Sequence, residues 1–209
     1  MSTGSELQTK GVRLFEGGKY DEAATVFTEA IAAYQSEDSP ELSAEMQVNL
    51  GLTKREQGDF EGAVEMMQTG LAYFRENGVR LREAQALGNM ALVYAKAGDH
   101  EQAQTMYREA AAIFRELGED QFYGETILAL GDMLFRAGKL QEALAIFEVG
   151  LERMQNKNQR QKVMKQLLIL KNRIMGEERR QQISESENQG ETDSHRRRRR
   201  SRRNKGTDE

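Results

Sequence analysis

Apolar and polar residues alternate along the chain with the period of an α-helix. Ala23, Phe27 and Tyr34, for example, fall on a single helical face, because an α-helix has 3.6 residues per turn. Similar stretches follow one another to about residue 176, with short glycine-containing turns between them. No segment is predicted to be a β-strand. The pattern therefore predicts an all-α protein.

The helical stretches form an internal repeat with a period of forty residues and no insertions. The aligned segments are residues 8–31, 48–71, 88–111 and 128–151. Two columns hold only small residues, which implies close contact between two helices; they are Gly11, Gly51, Ala91 and Gly131, and Ala23, Ala63, Ala103 and Ala143. A glycine at each of positions 18, 58, 98 and 138 is placed to end a helix in a left-handed conformation. Each unit is therefore predicted to be a pair of helices joined by a tight turn.

Large residues fill two further columns, and these are the predicted core. They are Phe27, Met67, Tyr107 and Phe147, and, seven residues later, Tyr34, Phe74, Phe114 and Met154. A spacing of seven residues keeps both columns on one face of a helix.

The columns resemble the signature of the tetratricopeptide repeat, which runs Trp-x2-Leu-Gly-x2-Tyr and then Ala-x3-Phe. The fourth unit carries its matching residues at Ile127, Leu130, Gly131, Leu134, Ala143 and Phe147. The resemblance implies a right-handed superhelical solenoid of four helix pairs within residues 1–157, with units at about 4–37, 44–77, 84–117 and 124–157. The period exceeds the usual thirty-four residues. In this longer period and in the triplet Leu87-Gly88-Asn89, the chain is similar to the Leu-Gly-Asn type of polarity adaptor.

Residues 158–176 are predicted to form an amphipathic helix after the fourth pair. Its apolar stripe consists of Val163, Leu167, Leu170 and Ile174. We expect this helix to cap the array, since repeat arrays need a terminal element with a polar outer side. Leu168 and Ile169 widen the stripe, so a helix for a partner or for self-association is the alternative. Residues 177–209 have almost no apolar residues and are predicted to be disordered.

The resemblance also implies a peptide-binding groove on the concave face, which the first helix of each pair lines in this family. The corresponding residues here are Val12, Phe15, Asn49, Leu52, Arg55, Asn89, Leu92, Lys96, Asp132, Phe135 and Arg136. They provide an apolar floor edged with both charges.

Asn49 and Asn89 match the asparagines with which the family binds the main chain of a peptide. A carboxamide suits that role because it donates and accepts hydrogen bonds at once. The alternative is that asparagine is merely common at this position. The lysine and arginine positions of the family's carboxylate clamp are not basic here, which argues against a co-chaperone that binds a C-terminal carboxylate.

Charge is distributed unevenly along the chain. The net charge is −4, but residues 194–209 contribute +6, so residues 1–193 carry −10. The basic cluster could bind nucleic acid or another polyanion weakly and without sequence preference; it consists of Arg196, Arg197, Arg198, Arg199, Arg200, Arg202, Arg203 and Lys205. Contact with the acidic body of the protein, or with nothing in particular, is the alternative.

Composition argues against catalysis. Cysteine is absent, and the only histidines are His100 and His195. His100 occupies the column of Tyr20, Phe60 and Leu140, so we expect it to pack. No phosphate loop, metal-ligand spacing or cofactor motif is found, and neither a secretory signal nor a membrane span is recognisable. We expect a cytoplasmic scaffold or adaptor and favour a monomer that binds a peptide segment of a protein partner. In a cell with a nucleus, the arginine run would also pass as a nuclear-import signal. A nucleic-acid-associated protein is the alternative.

Overall fold

The computed structural model describes residues 2–153, 160, 162–167 and 169–180, and every regular element in them is an α-helix. The predicted all-α fold is thus confirmed. The first eight helices are α1 Gly4–Glu16, α2 Tyr20–Ser36, α3 Pro40–Gln57, α4 Phe60–Glu76, α5 Arg80–Ala97, α6 His100–Leu117, α7 Asp120–Arg136 and α8 Leu140–Arg153.

The helices pack in chain order. Each helix from α1 to α7 contacts the next, and the odd helices α3, α5 and α7 also contact one another in sequence. Helices α3, α5 and α7 therefore lie side by side in the array. They carry all of the predicted groove residues except Val12 and Phe15, which belong to α1.

Glycine ends the first helix of each pair, as the repeat predicts. Gly58 and Gly98 adopt left-handed conformations, with φ of 85° and 89°. The next residue is an aspartate in both turns, and its side chain caps the following helix: Asp59 accepts from the Gly62 N–H at 2.9 Å and Asp99 from the Gln102 N–H at 3.1 Å. A Gly-Asp pair thus closes one helix and opens the next.

The small-residue column permits the close approach of the two helices in each pair. A Cβ atom at Gly51 would lie 2.6 Å from Met67 Cγ, and one at Gly11 would lie 2.6 Å from the Phe27 ring. The glycine column of the first helix therefore packs directly against the large-residue column of the second. The helix–helix contact inferred from small residues is confirmed.

The predicted core columns are buried wherever the structure describes them. Phe27, Met67, Tyr107 and Phe147 are inaccessible or nearly so, as are Tyr34, Phe74 and Phe114, whereas Met154 lies outside the described residues. Phe74 and Phe114 belong to one cluster that runs through the two middle pairs. These contacts hold neighbouring units together.

A ninth helix, α9, comprises residues 162–167 and 169–180. The chain divides into two compact units after Val163. All four residues of the predicted stripe are buried, whereas Ile169 is exposed and Leu168 lies outside the described residues. Residues 177–180, predicted to be disordered, continue the helix past Gly176, because the glutamates and arginines that follow are good helix formers.

Candidate peptide-binding face

A cavity of about 410 Å³ opens among helices α3 to α7, and we call it the central cavity. Its wall is about half apolar and half polar. The apolar lining consists of Val48, Phe74, Ala84, Ala86, Leu92, Phe114, Phe122 and Ala129, and the polar lining of Glu45, Asn49, Arg82, Gln85, Asn89, Tyr107, Glu125 and Thr126. Ligand sites likewise combine apolar and aromatic walls with polar groups that orient the ligand.

The structure places Asn49 of α3 and Asn89 of α5 on this one cavity, together with Leu92. Both carboxamides are half-buried. Asn49 Nδ2 makes one weak contact, 3.9 Å from the sulfur of Met46. No hydrogen bond joins the Asn89 side chain to any residue that the structure describes. Both carboxamides therefore keep hydrogen-bonding capacity for a ligand.

Two buried hydroxyl groups also belong to the cavity wall. Tyr107 and Thr126 are only 3% and 8% exposed, and within the described chain neither hydroxyl has a hydrogen-bond partner. Burial raises the pKa of Tyr107 to about 12, with Asp132 acting in the same direction and Arg55 against it. The phenol therefore remains a neutral donor and acceptor over the ordinary pH range.

A charged cluster lies beside the two asparagines. Arg82 of α5 forms a salt bridge to Glu45 of α3 at 2.8 Å and donates to Gln85 Oε1 at 3.1 Å. Burial raises the pKa of Glu45, although the nearby Arg82 guanidinium opposes that shift. Because the Arg82 side chain is partly exposed, it can also form an ion pair or hydrogen bonds with a ligand.

The predicted groove did not include Glu45, Gln85 or Glu125, although the repeat contains the information that identifies them. Glu45, Gln85 and Glu125 form one column of the alignment, four residues before Asn49, Asn89 and Ala129. Residues four apart lie one helical turn from each other on the same face. Extending the asparagine column by one turn would therefore have added the cavity's second polar row.

The predicted charged groove residues lie outside the central cavity and are paired with one another or with neighbours. Arg55 contacts Glu56 at 2.6 Å, and Lys96 reaches the same carboxylate at 3.2 Å, which joins α3 to α5. Burial opposes ionisation of Glu56, but the hydrogen bonds from Arg55 and Lys96 lower its pKa overall. Asp132 and Arg136 pair within α7 at 2.9 Å.

The predicted apolar groove residues other than Leu92 also lie outside the central cavity. Phe15 contacts the Tyr20 ring edge-on at 5.6 Å, and Leu52 packs against the main core cluster. Phe135 is half-buried on α7, whereas Val12 is exposed on α1. The structure thus brings Asn49, Asn89 and Leu92 together and leaves the other predicted groove residues elsewhere on the odd helices.

His100 does not pack in the core as expected. It is exposed at the first position of α6, where the polar imidazole keeps its hydration, whereas Tyr20 and Phe60 in the same column are half-buried. The described part of the chain contains no group of three or more His, Cys, Asp or Glu side chains arranged to hold a metal ion. The arginine cluster at 196–203 and Lys205 lie outside the described residues.

No helix within the described ranges has the length and apolarity needed to cross a bilayer.

Solved structures with the same fold are similar to the chain at low sequence identity. BtubC (BKLC) from P. vanneervenii is 18% identical with a TM-score of 0.71, over 79% of this chain and 70% of that one. A candidate kinesin light chain from Podosopora anserina with nearly identical TPR-like repeats is 14% identical with a TM-score of 0.63, over 84% and 99%. The apo form of RapI is 14% identical with a TM-score of 0.65, over 72% and 55%. These likenesses show an all-α tetratricopeptide-repeat solenoid.

No curated protein sequence matches the chain. Two family models do match, both described as tetratricopeptide repeat, over residues 9–76 and 82–156. Repeats of this kind generally mediate protein–protein interaction and typically belong to non-enzymatic scaffolds. Because the two matches together cover well over half of the sequence, the chain belongs to the tetratricopeptide-repeat family.

Proposed function

We propose that this protein is a non-enzymatic scaffold or adaptor that binds a peptide segment of a protein partner across the central cavity. The observation that carries the proposal is the pair Asn49 and Asn89, whose side chains line one cavity with free hydrogen-bonding capacity. In the array, each helix from α1 to α7 packs on the next.

The chemistry of the cavity suits an extended peptide. The main chain of such a peptide presents an N–H and a C=O at each residue, and a carboxamide can pair with both. Phe74, Phe114 and Phe122 form an apolar wall that would accept one large apolar side chain. The Tyr107 and Thr126 hydroxyls would then gain partners that the described chain does not supply.

The expected contribution of the two asparagines follows from ordinary hydrogen-bond energies. A net hydrogen bond contributes about 0.5–1.5 kcal/mol, so two carboxamides that each make one bond contribute about 1–3 kcal/mol. Since 1.4 kcal/mol is a factor of ten, removing both should weaken binding by about 5-fold to 150-fold.

The test uses a peptide selected on the wild-type protein from a random-peptide phage library and then labelled with a fluorophore. Its affinity is compared for the wild type, for Asn49→Ala with Asn89→Ala, and for a matched control, Asn172→Ala, on the exposed surface of α9. We expect the double variant to lose affinity and the control to keep it. Equal affinities for all three proteins would contradict the groove assignment.

The finer features of the account belong to the same proposal. They are the division into an array over 1–157, a capping role for α9 and a tail after residue 180, the similarity to the Leu-Gly-Asn type, and a cytoplasmic monomer. Weak polyanion binding by the arginine cluster stays an alternative function. Nuclease treatment during affinity purification distinguishes it, because only partners held through nucleic acid are lost.

A further inference from the structure

A second groove, of about 420 Å³, lies between α4 and α5 and shares no lining residue with the central cavity. We call it the acidic groove. It is lined by Phe60, Glu61, Val64, Glu65, Gln68, Val93, Tyr94, Ala97 and Asp99. No function proposed above uses it.

The floor of the acidic groove is apolar and its edge is negatively charged. Phe60, Val64 and Tyr94 are half-buried and pack against the main core cluster. The carboxylates of Glu61 and Glu65 are exposed, and neither forms an ion pair with any described residue. Asp99, the third acidic residue, accepts one hydrogen bond from the Gln102 N–H but likewise has no cation within the described chain.

The same place in the neighbouring repeats does carry a cation. Forty residues earlier, Asp59 stands for Asp99 and pairs at 2.7 Å with Lys54, which occupies the position of Tyr94. Forty residues later, Lys139 takes the position of Asp99 itself. The third unit thus has an aromatic ring where the second has its lysine, and the groove's carboxylates remain uncompensated.

We propose that the acidic groove binds the arginine cluster of this same chain, residues 196–203. An arginine matches both features of the groove at once. Its aliphatic stem can lie on Val64 and Phe60. Its planar guanidinium can stack on the Tyr94 ring and donate hydrogen bonds to the carboxylates of Glu61 and Glu65.

Charge and chain length favour an occupant from the same chain. Residues 194–209 carry +6 against −10 for the rest of the chain, so the two parts attract. Residues 181–195 separate the described end of α9 from Arg196. Such a segment can span up to about 50 Å. Tethering also raises the local concentration of the cluster to the millimolar range, so weak contacts suffice.

The absence of cysteine makes a direct test possible. A nitroxide spin label is attached to a single introduced cysteine, Gly206→Cys, beside the arginine cluster, and the broadening of backbone amide signals is measured by NMR on the full-length protein. We expect broadening of the amides of residues 60–68 and 93–99. It should be lost in Glu61→Gln with Glu65→Gln, which keeps the helix cap at Asp99, and diminish at high salt.

The matched control is Glu142→Gln with Glu148→Gln, two exposed carboxylates on α8, which should leave the broadening unchanged. Circular dichroism of all variants verifies that the fold is retained. No broadening at the acidic groove, broadening centred on the central cavity, or broadening that survives the Glu61 and Glu65 substitutions would overturn the proposal. A mixture of spin-labelled protein without isotopes and unlabelled, isotope-enriched protein reports only contacts between molecules. Broadening in this mixture equal to that in the singly labelled protein would also overturn the proposal, because the contact would then join two copies.

Discussion

Replacing Gly51 by alanine tests the close contact between α3 and α4. The added Cβ would lie 2.6 Å from Met67 Cγ and 2.9 Å from the backbone oxygen of Ala63. Neither neighbour can move freely, since Met67 and Ala63 are completely buried and the oxygen belongs to the α4 backbone.

The net effect is the difference between two opposing contributions. Overpacking of this kind costs about 1–3 kcal/mol, while alanine in place of a helical glycine stabilises by about 1 kcal/mol. Gly51→Ala should therefore lower the free energy of unfolding by up to about 2 kcal/mol. The matched control is Gly88→Ala in α5, where a Cβ would have no atom within 4 Å. It should gain about 1 kcal/mol from helix propensity alone.

Urea unfolding followed by circular dichroism measures both variants against the wild type. We expect Gly88→Ala to raise the midpoint and Gly51→Ala not to, with the two variants separated by about 1–3 kcal/mol. If Gly51→Ala were as stable as Gly88→Ala, the two helices would lie farther apart than described. The small-residue column would then have another cause.

Three further predictions concern buried groups. The pKa of Tyr107 is raised to about 12 in the folded protein, so the unfolded chain loses this proton first as the pH rises above about 10. The free energy of unfolding should therefore fall by about 2–3 kcal/mol between about pH 10 and 12. Urea unfolding at alkaline pH should show this loss in the wild type but not in Tyr107→Phe. Glu83 is buried and pairs with Arg75 at 3.2 Å and Arg80 at 2.7 Å, so Glu83→Ala should cost about 1–3 kcal/mol of stability. Glu109 contacts the same Arg75 but is exposed, so Glu109→Ala should cost less than about 1 kcal/mol. Equal costs in chemical denaturation would contradict this ranking. In α9, Leu170→Ala should cost about 2–5 kcal/mol and the exposed neighbour Ile169→Ala under about 1 kcal/mol, measured by thermal unfolding.

The sequence is sufficient to predict the fold because the repeat samples each structural position several times. A single glycine such as Gly51 is ambiguous, but a small residue at the same place in all four units indicates a helix contact. The turn glycines and the stripe of α9 are predictable for the same reason, since local backbone geometry and helical period determine them.

The site is only partly predictable. Asn49 and Asn89 are found from the repeat, but the cavity between them depends on gaps among several helices, which no single helical face reveals. Tyr107 stands in a column of core residues, and only the assembled structure shows that it lines the cavity. The charged groove residues could not be placed from the sequence for another reason: Arg55 and Lys96 pair with Glu56 and do not line the cavity.

The central claim is that Asn49 and Asn89 bind the main chain of a peptide in the central cavity. A double-mutant cycle tests it most directly, combining Asn89→Ala with N-methylation of single peptide bonds in the selected peptide, and likewise for Asn49→Ala. For each asparagine, the account predicts one peptide bond whose methylation and the alanine substitution are not additive, with an interaction energy of about 0.5–1.5 kcal/mol. Additive effects at every peptide bond for both asparagines would contradict it.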